Sequence, residues 1–363
     1  MAKPTEQQIL DALKTIIDPK SGRDIVSLGM IQGLALKDGN AQFAIGIDPT
    51  QANIYEPIRA NAERAVERLP GITSATALLT AERAPAAPQR QGPPKIELPQ
   101  VRAIVAVASG KGGVGKSTTT TNLACALARQ GLKVGLLDAD IYGPSQPRLL
   151  GISGKPRSRD GKIIEPMRNH GIAVMSIGFL IDDAKPVIWR GPMVVSALQQ
   201  MLRDVAWGAL DILLVDMPPG TGDIQLSLAQ TVPLTGAVIV STPQDIALID
   251  ARRGLEMFRR VEVPVFGFIE NMSYFACPSC GTRSDIFGHG GAKLEAEKLG
   301  TDFLGEVPLH MAIRETSDSG TPIVVTDPES VHAQAYYGIA KKVWAKAEAV
   351  LGSGRTAPRI VMG

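Results

Sequence analysis

The stretch Ser109-Gly110-Lys111-Gly112-Gly113-Val114-Gly115-Lys116-Ser117-Thr118 constrains this chain more than any other. An apolar run, Ala103 to Ala108, leads into it, and a helical pattern, Thr118 to Gln130, leads out and stops at Gly131. Strand, glycine-rich turn and helix are the setting in which backbone N–H groups converge on an anion, with the helix N-terminus adding its partial positive charge. Gly110-x-x-x-x-Gly115-Lys116-Ser117 fits the phosphate-binding-loop pattern, with Lys116 for the β/γ-phosphates and Ser117 for Mg2+. Gly110, Gly112 and Gly115 also satisfy G-x-G-x-x-G, with Asp138 ending the next strand, which is the dinucleotide fingerprint. A dinucleotide turn has no use for a Lys-Ser pair directly after its last glycine, whereas a triphosphate–Mg2+ site needs both. A nucleoside triphosphate is the expected ligand.

The apolar pattern on both sides of the loop predicts the fold. Ala103–Ala108, Val134–Leu137, Ile172–Ile177, Ile212–Val215, Ala237–Val240 and Val265–Ile269 are near-continuous apolar runs separated by helical patterns. Such runs suit parallel strands buried on both faces, and the alternation predicts an α/β fold with a doubly wound, mostly parallel sheet. Ligands in these sheets lie at the carboxyl ends of the strands. The last helical stretch sets Tyr336, Ile339, Ala340, Val343, Trp344, Ala347 and Leu351 on one face, expected to pack on the sheet.

Ahead of this lies a small α+β domain. Thr5 with Gln8 forms a capping box before a helix bearing Ile9, Leu13 and Ile16. Ile31–Leu36 and Ala41–Ile47 flank Lys37-Asp38-Gly39-Asn40 as a hairpin, Ile58–Leu69 is a second helix and Ile72–Leu79 a last strand. Pro85, Pro88, Pro93, Pro94 and Pro99 mark a semi-rigid linker. The expected divisions are 1–83 for the small domain, 84–100 for the linker, 101–352 for the nucleotide-binding domain and 353–363 for a tail. With 363 residues, 44% hydrophobic and 20% charged, the chain has material for two such cores. Its net charge of +2 gives no electrostatic case for nucleic acid. Three cysteines argue against a disulfide framework, and no run is long enough to span a bilayer or serve as a signal peptide. A cytoplasmic protein without stable membrane association is the expectation.

Two strand ends carry acids: Asp138-Ala139-Asp140, and Asp216-Met-Pro-Pro-Gly220-Thr-Gly222-Asp223. An Asp closing an apolar strand behind a phosphate loop is placed to hold Mg2+, so Asp216 joins Ser117 as a candidate metal ligand. Cys277-Pro-Ser-Cys280 is a lone C-x-x-C, open to redox, zinc or cluster chemistry. No second pair exists, and Cys125 falls inside the helix after the phosphate loop, as a small core residue. Two thiolates cannot close a four-ligand site, but a two-fold dimer supplies four.

Lys111-Gly-Gly-Val-Gly-Lys116-Ser-Thr with Asp138-x-Asp140 resembles the deviant Walker A ATPases, which include MinD, ParA and the nitrogenase iron protein. The resemblance implies that Lys111 reaches across a dimer to the partner's phosphates, that Asp140 orients the attacking water, and that Asn271 meets the adenine. With Asp140–Ser145, Trp189–Met193, Asp216–Asp223, Ser241–Asp245 and Glu270–Ser273 added, the chain resembles the Mrp/ApbC-type iron–sulfur cluster carriers over roughly residues 101–350. That likeness implies an ATPase with Gly110, Lys111, Gly112, Gly113, Val114, Gly115, Lys116, Ser117, Thr118 and Asn271 around ATP. It implies a homodimer that bridges a [4Fe-4S] cluster through Cys277 and Cys280, and apo-proteins and cluster donors as partners. His289, in a glycine turn, is a candidate ligand but reads first as a turn residue before the helix at 292–299. Asp18-Pro19, Asp24–Gly29 and Pro70-Gly71-Ile72 resemble the small PaaD-like domain of iron–sulfur assembly. That family's usual cysteine is missing from Asp48–Asn53, so the domain is expected to dock or scaffold. A MinD/ParA-type positioning ATPase without a cluster is the rival reading.

Overall fold

The computed structural model describes residues 4–37, 39–47, 52–80, 96–158, 161–181, 191–277 and 279–353. The expected linker up to residue 95, the tail beyond 353, Asp48–Gln51, Trp189, Arg190 and Pro278 lie outside the described residues. The chain divides into two compact units, Met1–Gln91 and Gly92–Gly363.

In the first unit, α1 (Glu6–Leu13) begins with the reciprocal box: Gln8 N donates to Thr5 Oγ1 and Thr5 N to Gln8 Oε1. The hairpin forms as β1 (Ile31–Lys37) and β2 (Asn40–Gly46). Then α2 (Ala52–Glu67) crosses to β3 (Ser74–Thr80), which pairs parallel with β2. The second helix starts ahead of the expected Ile58, because Pro57 deletes one ladder bond in the second turn without ending it. Ile9, Leu13, Phe43, Ile45 and Val66 make the core.

The second unit is organised on a nine-stranded sheet. Its strands are β4 (Val101–Ala108), β5 (Val134–Asp138), β6 (Met167–Asn169), β7 (Ile172–Ser176), β8 (Leu210–Asp216), β9 (Gly236–Ser241), β10 (Val265–Ala276), β11 (Arg283–Ser284) and β12 (Phe303–Leu309). The order is β11-β10-β9-β4-β8-β5-β7-β6, with β12 also on β10. Only β6 and β11 are antiparallel to their neighbours. Helices α3 (Lys116–Arg129), α4 (Gln146–Leu149), α5 (Gly191–Arg203), α6 (Asp223–Thr231), α7 (Asp245–Arg260), α8 (Gly291–Lys298), α9 (Met311–Asp318), α10 (Ile323–Thr326) and α11 (Val331–Gly352) complete it. β4, β5, β8 and β9 are almost wholly buried, as their unbroken apolar runs require.

Three boundaries differ from the sequence expectation. Ile96, assigned to the linker, is buried in this core and donates its N–H to Thr231 O at 3.1 Å. The helix after the phosphate loop starts at Lys116, so Lys116 and Ser117 lie in its first turn. β10 runs to Ala276 although its apolar run ends at Ile269, because β12 flanks it and Glu270, Asn271 and Ser273 find partners on other elements. The last helix, α11, buries Tyr336, Ile339, Ala340, Val343 and Ala347 against α3, β4 and β12, while Leu351 is exposed. Among the described residues no helix is long and apolar enough to cross a membrane.

Candidate functional site

The phosphate loop leaves β4 at Ser109 and enters α3 through Gly113 and Gly115, both at positive φ (80° and 78°). Two glycines are required by close approach. A Cβ on Gly110 would stand 2.1 Å from the backbone carbonyl carbon of Asp250 in α7, and one on Gly115 would stand 2.1 Å from Asn271 Nδ2. Gly112 has open space instead. Gly110→Ala is therefore expected to cost about 1–3 kcal/mol as backbone moves against backbone, with a parallel loss of ATP affinity. Gly112→Ala should leave the melting temperature unchanged. Thermal melts of the two variants, with and without nucleotide, check this.

Asp216, at the end of β8, is the hub beneath the loop. Its carboxylate is fully buried and meets Lys116 Nζ at 2.5 Å, Thr120 Oγ1 at 3.1 Å and Gln146 Nε2 at 2.8 Å. Lys116 Nζ also lies 3.1 Å from Ser117 Oγ. An ammonium thus sits between the two oxygens expected to hold Mg2+, so the pair fits a hard cation once Lys116 turns to phosphate.

Asp138 stands beside Asp216 in the β5/β8 register. Burial, and then the neighbouring Asp216 charge, push its carboxyl up to about 7. It accepts from Asp140 N, Ser145 N, Gln146 N and Ser176 Oγ at 3.0–3.2 Å. Asp138 therefore shapes the loop, and Asp140, two residues on, is the carboxylate that faces a cavity. That cavity is lined by Tyr142, Pro218, Pro219, Gly222 and Gln225. Partial burial raises the Asp140 carboxyl above its ordinary range, with Lys116 opposing. The Pro-Pro-Gly loop is tied to the phosphate loop by Gly220 N donating to Ser109 O at 3.0 Å. Lys111 is half-buried, and its ammonium has no partner among the described residues.

Asn271 lies within β10 rather than after it. Its amide donates to Val114 O at 2.8 Å, and with Gly115 and Thr118 it lines a cavity of about 210 Å3 closed by Pro308, His310 and Ile313. A cavity with apolar walls at Leu149, Met272 and Ile313 and polar groups at Asn271, Arg314 and Asp318, adjoining the start of α3, suits a nucleobase. Six residues further, Cys277 opens a tight hairpin: Cys277 N donates to Thr282 O at 3.0 Å and Gly281 N to Cys277 O at 2.8 Å. Cys280 is exposed, and its thiol, donating to Thr282 Oγ1 at 3.2 Å, lies below the ordinary thiol range because the Thr282 hydroxyl and N–H favour the thiolate. Cys125 is buried in α3 with its thiol pushed up to about 12, as expected of a core residue.

Sequence reasoning missed Gln146 and Thr120. Gln146 bridges Asp216, Ser117 O and Thr121 Oγ1. It comes directly after Asp140–Ser145, but nothing in the spacing marks it. Thr120 lies one turn after Lys116, so helical periodicity was its available signal.

A phosphate loop at the centre of a parallel sheet, a carboxylate on the next strand and a second lysine ahead of the first define a P-loop nucleoside triphosphatase. Residues 100–344 match the model of the NUBPL iron-transfer P-loop NTPase family, and the chain belongs to that family. Residues 6–79 match a second model, described as an iron–sulfur cluster assembly protein. The chain is 47% identical over 348 residues to the iron–sulfur cluster carrier protein of Synechocystis, covering 94% of this chain and 98% of that one. It is 56% identical over 247 residues to the carrier protein of Escherichia coli K12, covering 68% and 67%. Among solved structures it resembles a nucleotide-binding protein of Archaeoglobus fulgidus in complex with ADP, with cobalt (TM-score 0.57, 41% identity, 66% of this chain and 93% of that one).

Proposed function

We propose that this protein is a cytoplasmic, homodimeric ATPase that carries a [4Fe-4S] cluster and delivers it to apo-proteins. The observation that carries the reading is the pair of solvent-reaching cysteines in the hairpin directly after the strand whose Asn271 touches the phosphate loop. One strand thereby joins the nucleotide site to the thiolates. Two chains supply the four thiolates of a cubane cluster. Gly110–Thr118 would hold the phosphates of ATP and Asn271 would meet its base, while Ser117 and Asp216 would hold Mg2+. Bound Mg2+ supplies charge neutralisation of the phosphates. Asp140 orients the attacking water, and Lys111 acts on the partner's phosphates, in keeping with its having no partner among the described residues. The small domain scaffolds docking of a donor or client. A positioning ATPase has no use for the thiol pair.

Iron and sulfide assays with an absorption spectrum after anaerobic isolation test the reading, with about two irons per chain expected. Stoichiometric zinc in place of iron would leave a metal-bridged dimer and remove cluster transfer. The in-trans role has its own test. Lys111→Ala is expected to bind ATP and hydrolyse it slowly, as is Asp140→Ala. Mixing the two should restore activity at one of the two sites, since each chain supplies what the other lacks. Heterodimers that form without recovering activity would exclude that geometry.

A further inference from the structure

Apart from the nucleotide site and the cysteines, four donor atoms converge along the second half of β10. Ser273 Oγ lies 2.6 Å from Glu270 Oε1, 3.0 Å from His289 Nδ1 and 3.1 Å from Glu306 Oε2. His289 Nδ1 is in turn 3.8 Å from the Glu270 oxygen and 3.6 Å from the Glu306 oxygen. Ligand atoms of the three titratable residues all fall within 4.8 Å of one another. These four atoms outline a distorted tetrahedron. A tetrahedral cation with nitrogen and oxygen donors at about 2.0–2.1 Å spaces them about 3.3 Å apart, so the distances bracket what such an ion imposes.

Proton counting points the same way. Ser273 has one hydroxyl proton, and two carboxylate oxygens besides the imidazole face its oxygen, so with either tautomer of His289 at least one carboxylate oxygen meets a lone pair unless a further proton or a cation enters. Glu270 is fully buried and cannot turn away: its oxygens also accept Gly290 N at 2.8 Å and Ala292 N at 2.7 Å, at the start of α8. The nearest positive charge is Arg283, stacked 3.9 Å over the Tyr274 ring, with Nη2 2.7 Å from His289 Nδ1. Its side chain is 44% exposed and is held by an ion pair with Asp285 at 3.3 Å, which it can keep when it leaves the imidazole.

We propose that Glu270, Ser273, His289 and Glu306 bind one divalent first-row cation of the Zn2+ or Fe2+ class, at a site separate from Cys277 and Cys280. Two carboxylates, an imidazole and a hydroxyl suit a hard-to-borderline ion and disfavour thiophilic Cu+. His289 and Glu306, each 37% exposed, form the entrance, and buried Glu270 forms the floor. The ion ties β10, β12 and the turn before α8 together beside the root of the cysteine hairpin, displacing Arg283 from the imidazole. The site does not depend on cluster transfer.

The test uses the full chain carrying Cys277→Ser and Cys280→Ser, so that thiolates do not compete, washed with chelator and free of nucleotide. Titration with Co2+, monitored by its visible absorption and by displacement with Zn2+, is expected to saturate at one ion per chain. His289→Gln and Glu306→Gln, added singly to that background, should each weaken binding by at least about 100-fold, more than loss of an outer-shell partner costs. ATP binding of both variants should match the parent, which verifies the fold. Glu270→Gln is avoided because its carboxylate also holds the α8 turn. Absence of stoichiometric metal in the parent, or parental affinity in both variants, overturns the assignment.

Discussion

Serine at either Cys277 or Cys280 is expected to remove the bound sulfide and the iron that accompanies it from anaerobically isolated, chelator-washed protein while leaving ATP affinity unchanged. Each chain contributes these two sulfurs from one hairpin, so losing either leaves a dimer with two ligands where a cubane cluster requires about four. The exposed Cys280 thiol, biased toward thiolate by Thr282, is disposed to ligate metal. Cys125→Ser is the control. That thiol is buried beneath the sheet and pushed up to about 12, so its loss should not change the iron content. Iron and sulfide assays on the three variants, together with the molecular mass of the loaded form, decide the question. A full cluster on a single chain, or one that outlasts both hairpin cysteines, would falsify the bridging arrangement.

Lys116→Ala should act on two levels, because Lys116 is both the expected phosphate ligand and the counter-charge of a buried acid. Truncating one partner of a buried charge pair costs about 2–5 kcal/mol, so ATP affinity should fall about 30-fold or more. The fold should lose stability as well. Asp216 keeps Thr120 and Gln146 but loses its cation beside Asp138, so two carboxyls face each other in the core. This loss should be small in acid, where Asp138 holds a proton, and should grow as pH rises through about 7. The sign comes from the carboxyl being raised: its charged form is the disfavoured one in the folded protein. Asp216→Asn separates the two effects. It keeps Lys116 for the phosphates and should retain ATP while losing the dependence on Mg2+. Calorimetry with and without Mg2+ measures both, and unchanged ATP affinity in Lys116→Ala would remove the nucleotide assignment.

Several parts of the site were legible because covalent neighbours make them. Gly110 to Thr118 is one contiguous run whose loop geometry depends on glycines already adjacent in the chain, and Cys277 and Cys280 share a single hairpin. The parallel sheet was legible because strands buried on both faces leave unbroken apolar runs. Where polar residues continue a strand, that signal fails. Glu270, Asn271 and Ser273 hide the second half of β10, since each is satisfied by a group more than 15 residues away or by another turn. Ile96 likewise looked like linker, because Ile96 and Leu98 between Pro94 and Pro99 are too few to set a periodicity that would betray burial.

The amino-acid sequence by itself determined the class of fold, the phosphate loop, the strand-end acids and the paired thiols, all features carried by local pattern and spacing. Tertiary structure alone decided where each acid lies and what it touches. Asp138 and Asp140 are indistinguishable as strand-end residues, yet the backbone turns one onto four donors and the other toward a cavity. It also brought Gln146 under Asp216 and gathered Glu270, Ser273, His289 and Glu306 around one point. Such convergences depend on how strands distant in the chain pair side by side, and a linear pattern carries no record of that distance.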